Sequence, residues 1–102
     1  EIELNKKALH DAVELEVRQA VLRLREAKET LLSQEKNTEQ AKESLRITQL
    51  NFSEGMATTL DVISAEAAYS QAQVNYSQAL YNYVVTVADL DRAMGIGYDD
   101  YD

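Results

Sequence analysis

Two heptad patterns meet at one glycine, and that joint leaves few folds open. Before Gly55, alternating spacings of four and three residues mark Val17, Ala20, Leu24, Ala27, Leu31, Gln34, Thr38, Ala41, Leu45, Thr48 and Phe52. After it the same rhythm marks Ala65, Tyr69, Ala72, Tyr76, Ala79, Tyr83, Thr86, Leu90 and Ala93. A repeat of about 3.5 residues keeps each set on one helical stripe that can follow a partner helix over many turns. Two such stripes joined by a tight turn predict an all-α fold: a long antiparallel two-helix coiled-coil hairpin. Proline is absent, and glycine occurs only at 55, 95 and 97, so nothing interrupts either helix.

The boundaries read as a hairpin over 1–95, with a helix over about 5–54, a tip at 55–58 and a second helix over about 58–94. Residues 96–102 read as an acidic tail, Gly95 and Gly97 marking the helix stop. Gly55 can take the left-handed conformation that ends a helix. Thr58 or Thr59 can cap the helix that follows, and Thr58 with Asp61 has capping-box spacing, aspartate standing in for glutamate. At 102 residues the chain is one domain, yet it supplies only two elements. A seam between two helices buries little surface per residue, so further helices are expected to pack against it.

Side-chain chemistry outside the seam supports this. The second helix carries further apolar stripes, Leu60–Ala67–Val74–Tyr81–Ala88 and Leu80–Val87–Met94, and its other positions are mostly Ser, Gln and Asn. A helix apolar on several sides has several neighbours. The first helix is charged but balanced, with nine acidic and nine basic residues over 5–54. The chain as a whole carries a formal charge of −8, and no Lys or Arg falls between Arg46 and Arg92. A cationic stripe for phosphate backbones is therefore missing, which argues against nucleic-acid binding, and the Tyr69–Tyr76–Tyr83 row reads as packing rather than a base-stacking platform.

Catalytic chemistry finds no foothold. With no cysteine and one histidine, His10, neither a thiolate site nor a Ser–His–acid set can be assembled. His10 and Glu14 fall short of the three or four ligands of a metal site, and Asp89 and Asp91 diverge on a helix. We therefore expect no enzyme, no cofactor and no metal. No apolar run reaches the ~18 residues of a spanning helix, so direct membrane contact by this segment is not expected. The candidate site is the tip, where Phe52, Met56 and Ala57 are apolar at the end of a rod.

The run Leu50-Asn51-Phe52-Ser53-Glu54-Gly55-Met56-Ala57-Thr58-Thr59-Leu60-Asp61-Val62-Ile63-Ser64-Ala65, followed by an Ala/Tyr/Gln-rich helix to Met94-Gly95, resembles the TolC-like outer membrane factor (outer membrane efflux protein) family. The likeness is to that family's C-terminal periplasmic coiled-coil hairpin, part of a periplasmic α-barrel. It implies a tunnel segment of an outer-membrane export duct in tripartite efflux or type I secretion. Such a segment is the periplasmic part of an outer-membrane protein of a Gram-negative bacterium, homotrimeric at full length. The resemblance further implies docking of a periplasmic adaptor (membrane fusion) protein through Phe52, Glu54, Gly55, Met56, Ala57 and Thr58. It places Asp61 and Ser64 at the entrance constriction. Ala57 stands where the best-known members carry a gating arginine, and Ser64 replaces a second acidic position. The helix–helix seam is expected at Leu24, Leu31, Leu45, Tyr69, Tyr76 and Tyr83. The alternative reading is a free-standing antiparallel coiled coil that dimerises into a four-helix bundle.

Overall fold

The structure, a computed structural model, describes residues 2–99. It contains two helices, α1 over Ile2–Ser53 and α2 over Thr59–Asp99, and no strand among the described residues. The fold is an all-α helical hairpin. Two compact units divide it: Glu1–Glu29 with Tyr81–Asp102 at the open end, and Thr30–Leu80 around the tip.

Burial follows the heptads. In the unit Thr30–Leu80, Leu31, Gln34, Thr38, Ala41, Leu45 and Thr48 of α1 are half-buried. From α2 the same unit supplies Val62, Ala65, Tyr69 and Tyr76, half-buried, with Ala72 and Ala79 buried at 9% and 5% exposure. In the other unit Val17, Leu24, Ala27, Tyr83, Thr86, Leu90 and Ala93 are half-buried, and Ala20 is 1% exposed. The most buried positions among the described residues are thus alanines. Small side chains let helix backbones approach, and the large residues level with them close the gap.

Thr38 ties the two helices together. Its single hydroxyl proton is shared between the Gln34 carbonyl at 2.8 Å within α1 and the Ala72 carbonyl at 3.2 Å on α2. Thr38 and Ala72 lie equally far from Gly55, so the hydrogen bond fixes the register. Seven residues away on each helix, Leu31 lies level with Ala79; seven the other way, Leu45 lies level with Ala65. Along this row, then, a large or branched residue always meets an alanine.

The ends differ from the sequence reading in two places. Phe52 was expected to complete the seam, but Asn51 is the half-buried residue there and Phe52 is 47% exposed. The chain folds back over Asn51, whose carbonyl accepts the Met56 N–H, and this leaves the Phe52 ring outside. The second helix does not stop at Met94 but runs through Gly95 and Gly97 to Asp99. A glycine weakens a helix by only about 1 kcal/mol, and it ends one only where φ turns positive. Among the described residues Gly55 alone does so. Of the expected acidic tail, 96–99 is helical and 100–102 lies outside the described residues.

Candidate functional site at the hairpin tip

The turn is specified from both sides. On the α1 side Gly55 has φ +79°, its N–H bonds the Phe52 carbonyl at 3.1 Å, and the Met56 N–H bonds the Asn51 carbonyl at 2.7 Å. These paired bonds form a Schellman cap with glycine at its left-handed position. On the α2 side Thr58 and Asp61 form a reciprocal capping box. The Thr58 N–H donates to Asp61 Oδ2 at 2.9 Å, and the Asp61 N–H donates to Thr58 Oγ1 at 3.1 Å. The Val62 N–H then reaches the Thr58 carbonyl at 3.3 Å and opens the helical ladder. Between the caps the chain has no freedom to place Met56 elsewhere.

That rigidity presents an apolar end. Met56 is 69% exposed, and Phe52 and Leu60 are exposed beside it, while Ala57 tucks partly inward. Glu54, Thr58, Asp61 and Ser64 are exposed around this patch. The six expected tip residues therefore fall in one continuous turn. The seam residues Leu24 and Tyr83 belong to the open-end unit, and Leu31, Leu45, Tyr69 and Tyr76 to the tip unit.

Two carboxylates are perturbed. The Thr58 backbone N–H, aided by the Thr58 side chain, holds the Asp61 carboxyl below its usual value of 3.8. A group with a lowered folded pKa contributes its stability above the unfolded value and loses it as pH falls through the folded one. The capping box is therefore expected to be intact at neutral pH and to open only in acid, below about pH 4. Amide exchange at Thr58 and Asp61, followed on acidification, checks this; loss of protection at higher pH would contradict it. Glu43 is likewise lowered, first by its hydrogen bond to Arg46. That pair meets at 2.6 Å but is solvent-exposed, and Glu43→Gln is expected to leave the melting temperature unchanged.

Thr58→Ala removes the N-cap oxygen. It is expected to destabilise the hairpin by about 0.5–2 kcal/mol in urea unfolding, with Thr58→Ser close to wild type.

Elsewhere an open groove of about 420 Å³ runs beside Tyr69, lined on the α1 side by Glu39, Lys42, Glu43, Leu45, Arg46 and Gln49. Among the described residues no helix is long and apolar enough to cross a membrane, and no cluster of His, Asp or Glu could hold a metal ion.

Fold and tip together define the class: an all-α coiled-coil hairpin with a tightly specified, apolar end. The chain belongs to the outer membrane efflux protein family, whose sequence model matches residues 7–96. This is a family of transport proteins, not of enzymes, and its members are components of outer-membrane efflux channels. No curated protein and no solved structure matches the chain.

Proposed function

We propose that the chain forms part of the periplasmic tunnel of an outer-membrane export duct, serving tripartite efflux or type I secretion, and docks a periplasmic adaptor protein through its tip. The observation that carries this reading is the doubly capped turn that holds Met56 out into solvent. An apolar side chain fixed at the end of two long helices has no intrachain use and suits end-on docking. Phe52, Glu54, Gly55, Ala57 and Thr58 complete the contact surface, and Asp61 and Ser64 border the duct entrance. At full length the protein acts as a homotrimer, whose neighbouring helices cover the exposed Leu80, Val87 and Met94 of α2. Membership of the efflux family supports each of these steps.

The test is a crosslink and an export assay in the full-length protein. Met56→Cys is expected to crosslink to the adaptor, and Met56→Glu to reduce export severalfold while leaving the protein folded and in the outer membrane. Undiminished export by Met56→Glu would reject tip docking. The same exposed α2 face also favours a second reading, a four-helix dimer. Sedimentation of residues 1–102 alone separates the two, because a stable dimer of this chain would make the further helices of a duct unnecessary.

A further inference from the structure

The two flanks of the tip unit differ in chemistry: α1 separates charged rows from neutral polar ones, and α2 keeps its large exposed apolar residues off one side. Residues seven apart share a face, so each helix of Thr30–Leu80 can be read as rows around the seam. On α1 the row beside the Leu31–Thr38–Leu45 edge is Glu35 and Lys42, followed by Glu39 and Arg46. The row beside the Gln34–Ala41 edge is instead Thr30, Asn37 and Ser44, followed by Ser33 and Gln40. On α2 the row beside the Ala65–Ala72–Ala79 edge holds Ala68 and Asn75, followed by Ser64, Gln71 and Gln78. The remaining rows of α2 carry Leu60, Ile63, Val74 and Leu80, all exposed, together with Glu66, Ser70, Gln73 and Ser77.

The Tyr69 groove shows which rows share a side. Tyr69 lies with Leu45, Glu39, Lys42 and Arg46, so the tyrosine edge of α2 and the charged rows of α1 occupy one flank. The alanine edges and their Ser, Asn and Gln rows occupy the other. Apart from Ile47 near the tip, this second flank holds no large apolar side chain, and its only charges are Glu54 and Asp61 at the tip itself. Two of its amides are joined along the helix: Gln71 Nε2 donates to Asn75 Oδ1 at 3.0 Å. On α1 serine and asparagine are poorer helix formers than the Lys and Glu used on the opposite flank, so ordinary solvent exposure does not account for excluding charge from one side of that helix.

We infer that this neutral flank, marked by Ser33, Asn37, Gln40, Gln71, Asn75 and Gln78, is the face the hairpin turns to the solute passage, and that the charged and apolar flank faces outward and to neighbouring helices. The inference rests on the duct reading above. A wall of uncharged donors and acceptors exchanges hydrogen bonds with water and passing solutes and holds none by charge. Glu54 and Asp61 place the negative charge of this flank at the tip end, where it disfavours anions.

Planar-bilayer recordings of the full-length protein in a salt gradient test it. Gln71→Lys with Gln78→Lys replaces exposed residues of similar helix propensity. It is expected to lower the cation-to-anion permeability ratio severalfold, while Glu35→Gln with Glu39→Gln, an equal change of charge on the opposite flank, leaves the ratio unchanged, since charge beyond a wall is screened within ~10 Å. A ratio moved by the Glu35/Glu39 pair and not by the Gln71/Gln78 pair would reverse the assignment and leave the duct standing. Absence of any conductance in the wild-type protein would overturn the duct reading and this inference with it.

Discussion

Gly55→Val is expected to destabilise the hairpin by about 1–3 kcal/mol, the cost of holding a non-glycine residue in left-handed backbone. The cause is conformational, not steric. A Cβ at position 55 would meet nothing within 4 Å, so no neighbour has to move. What valine cannot do without strain is adopt φ +79°, and both cap hydrogen bonds depend on that angle. The order of effect therefore identifies the mechanism. Asparagine, which tolerates left-handed backbone, should cost least, alanine more, and β-branched valine most. Under the docking proposal the same order should appear in adaptor crosslinking, because relaxing the turn moves Met56. Thermal unfolding of the three variants gives the first readout and crosslinking yield the second. Equal melting temperatures for Val and Gly would mean that the turn does not need its positive φ. Reduced stability with undiminished crosslinking would separate the turn from docking.

The tip was legible because its chemistry is local. A glycine after a heptad run, with Thr and Asp three apart beyond it, specifies two caps whatever the rest of the chain does, and Gly55, Thr58 and Asp61 act as that pattern implies. The seam was legible for a different reason: its period repeats often enough that noise at one position cannot hide it. Phe52 marks the limit of that method. An aromatic residue at the right spacing lost its seam place to Asn51 once the cap bent the chain, an effect of backbone direction that hydrophobicity does not encode. Gly95 marks another, since a glycine signals a stop only where the backbone turns left-handed. The register was available but unread. Thr38 and Ala72 stand at equal distances from Gly55, and a threonine in an otherwise apolar row needs an acceptor for its hydroxyl. Which rows share a flank required the groove at Tyr69, a relation between residues far apart in sequence.

The register carries the second large effect. Ala79 is buried, and the Thr38–Ala72 hydrogen bond sets it level with Leu31. Ala79→Leu therefore brings two leucines into one layer of the seam and is expected to cost about 1–3 kcal/mol, the usual range for overpacking. Leu31→Ala alone should cost about 1–2 kcal/mol, below the ~2–5 kcal/mol of a fully buried leucine, because Leu31 is only half-buried. The informative variant is the double one. Leu31→Ala with Ala79→Leu restores one large and one small residue to the layer, and it should recover at least half of the summed losses. Residues that do not touch add their effects to within about 0.5 kcal/mol, so a recovery of that size is a direct signature of contact. Ala67→Leu is the control: Ala67 is exposed on the far side of α2 from the seam, and a leucine there should be nearly neutral in the isolated chain. In the full-length protein the outcome at Ala67 should invert, because the proposed neighbouring helices cover that side and leave less room for a leucine. Urea unfolding of the four variants in both contexts decides the matter. Strict additivity of the Leu31 and Ala79 changes would remove the register on which the two-flank assignment depends, whereas coupling at that layer together with a context-dependent Ala67 would place one face of α2 on α1 and the opposite face on another helix.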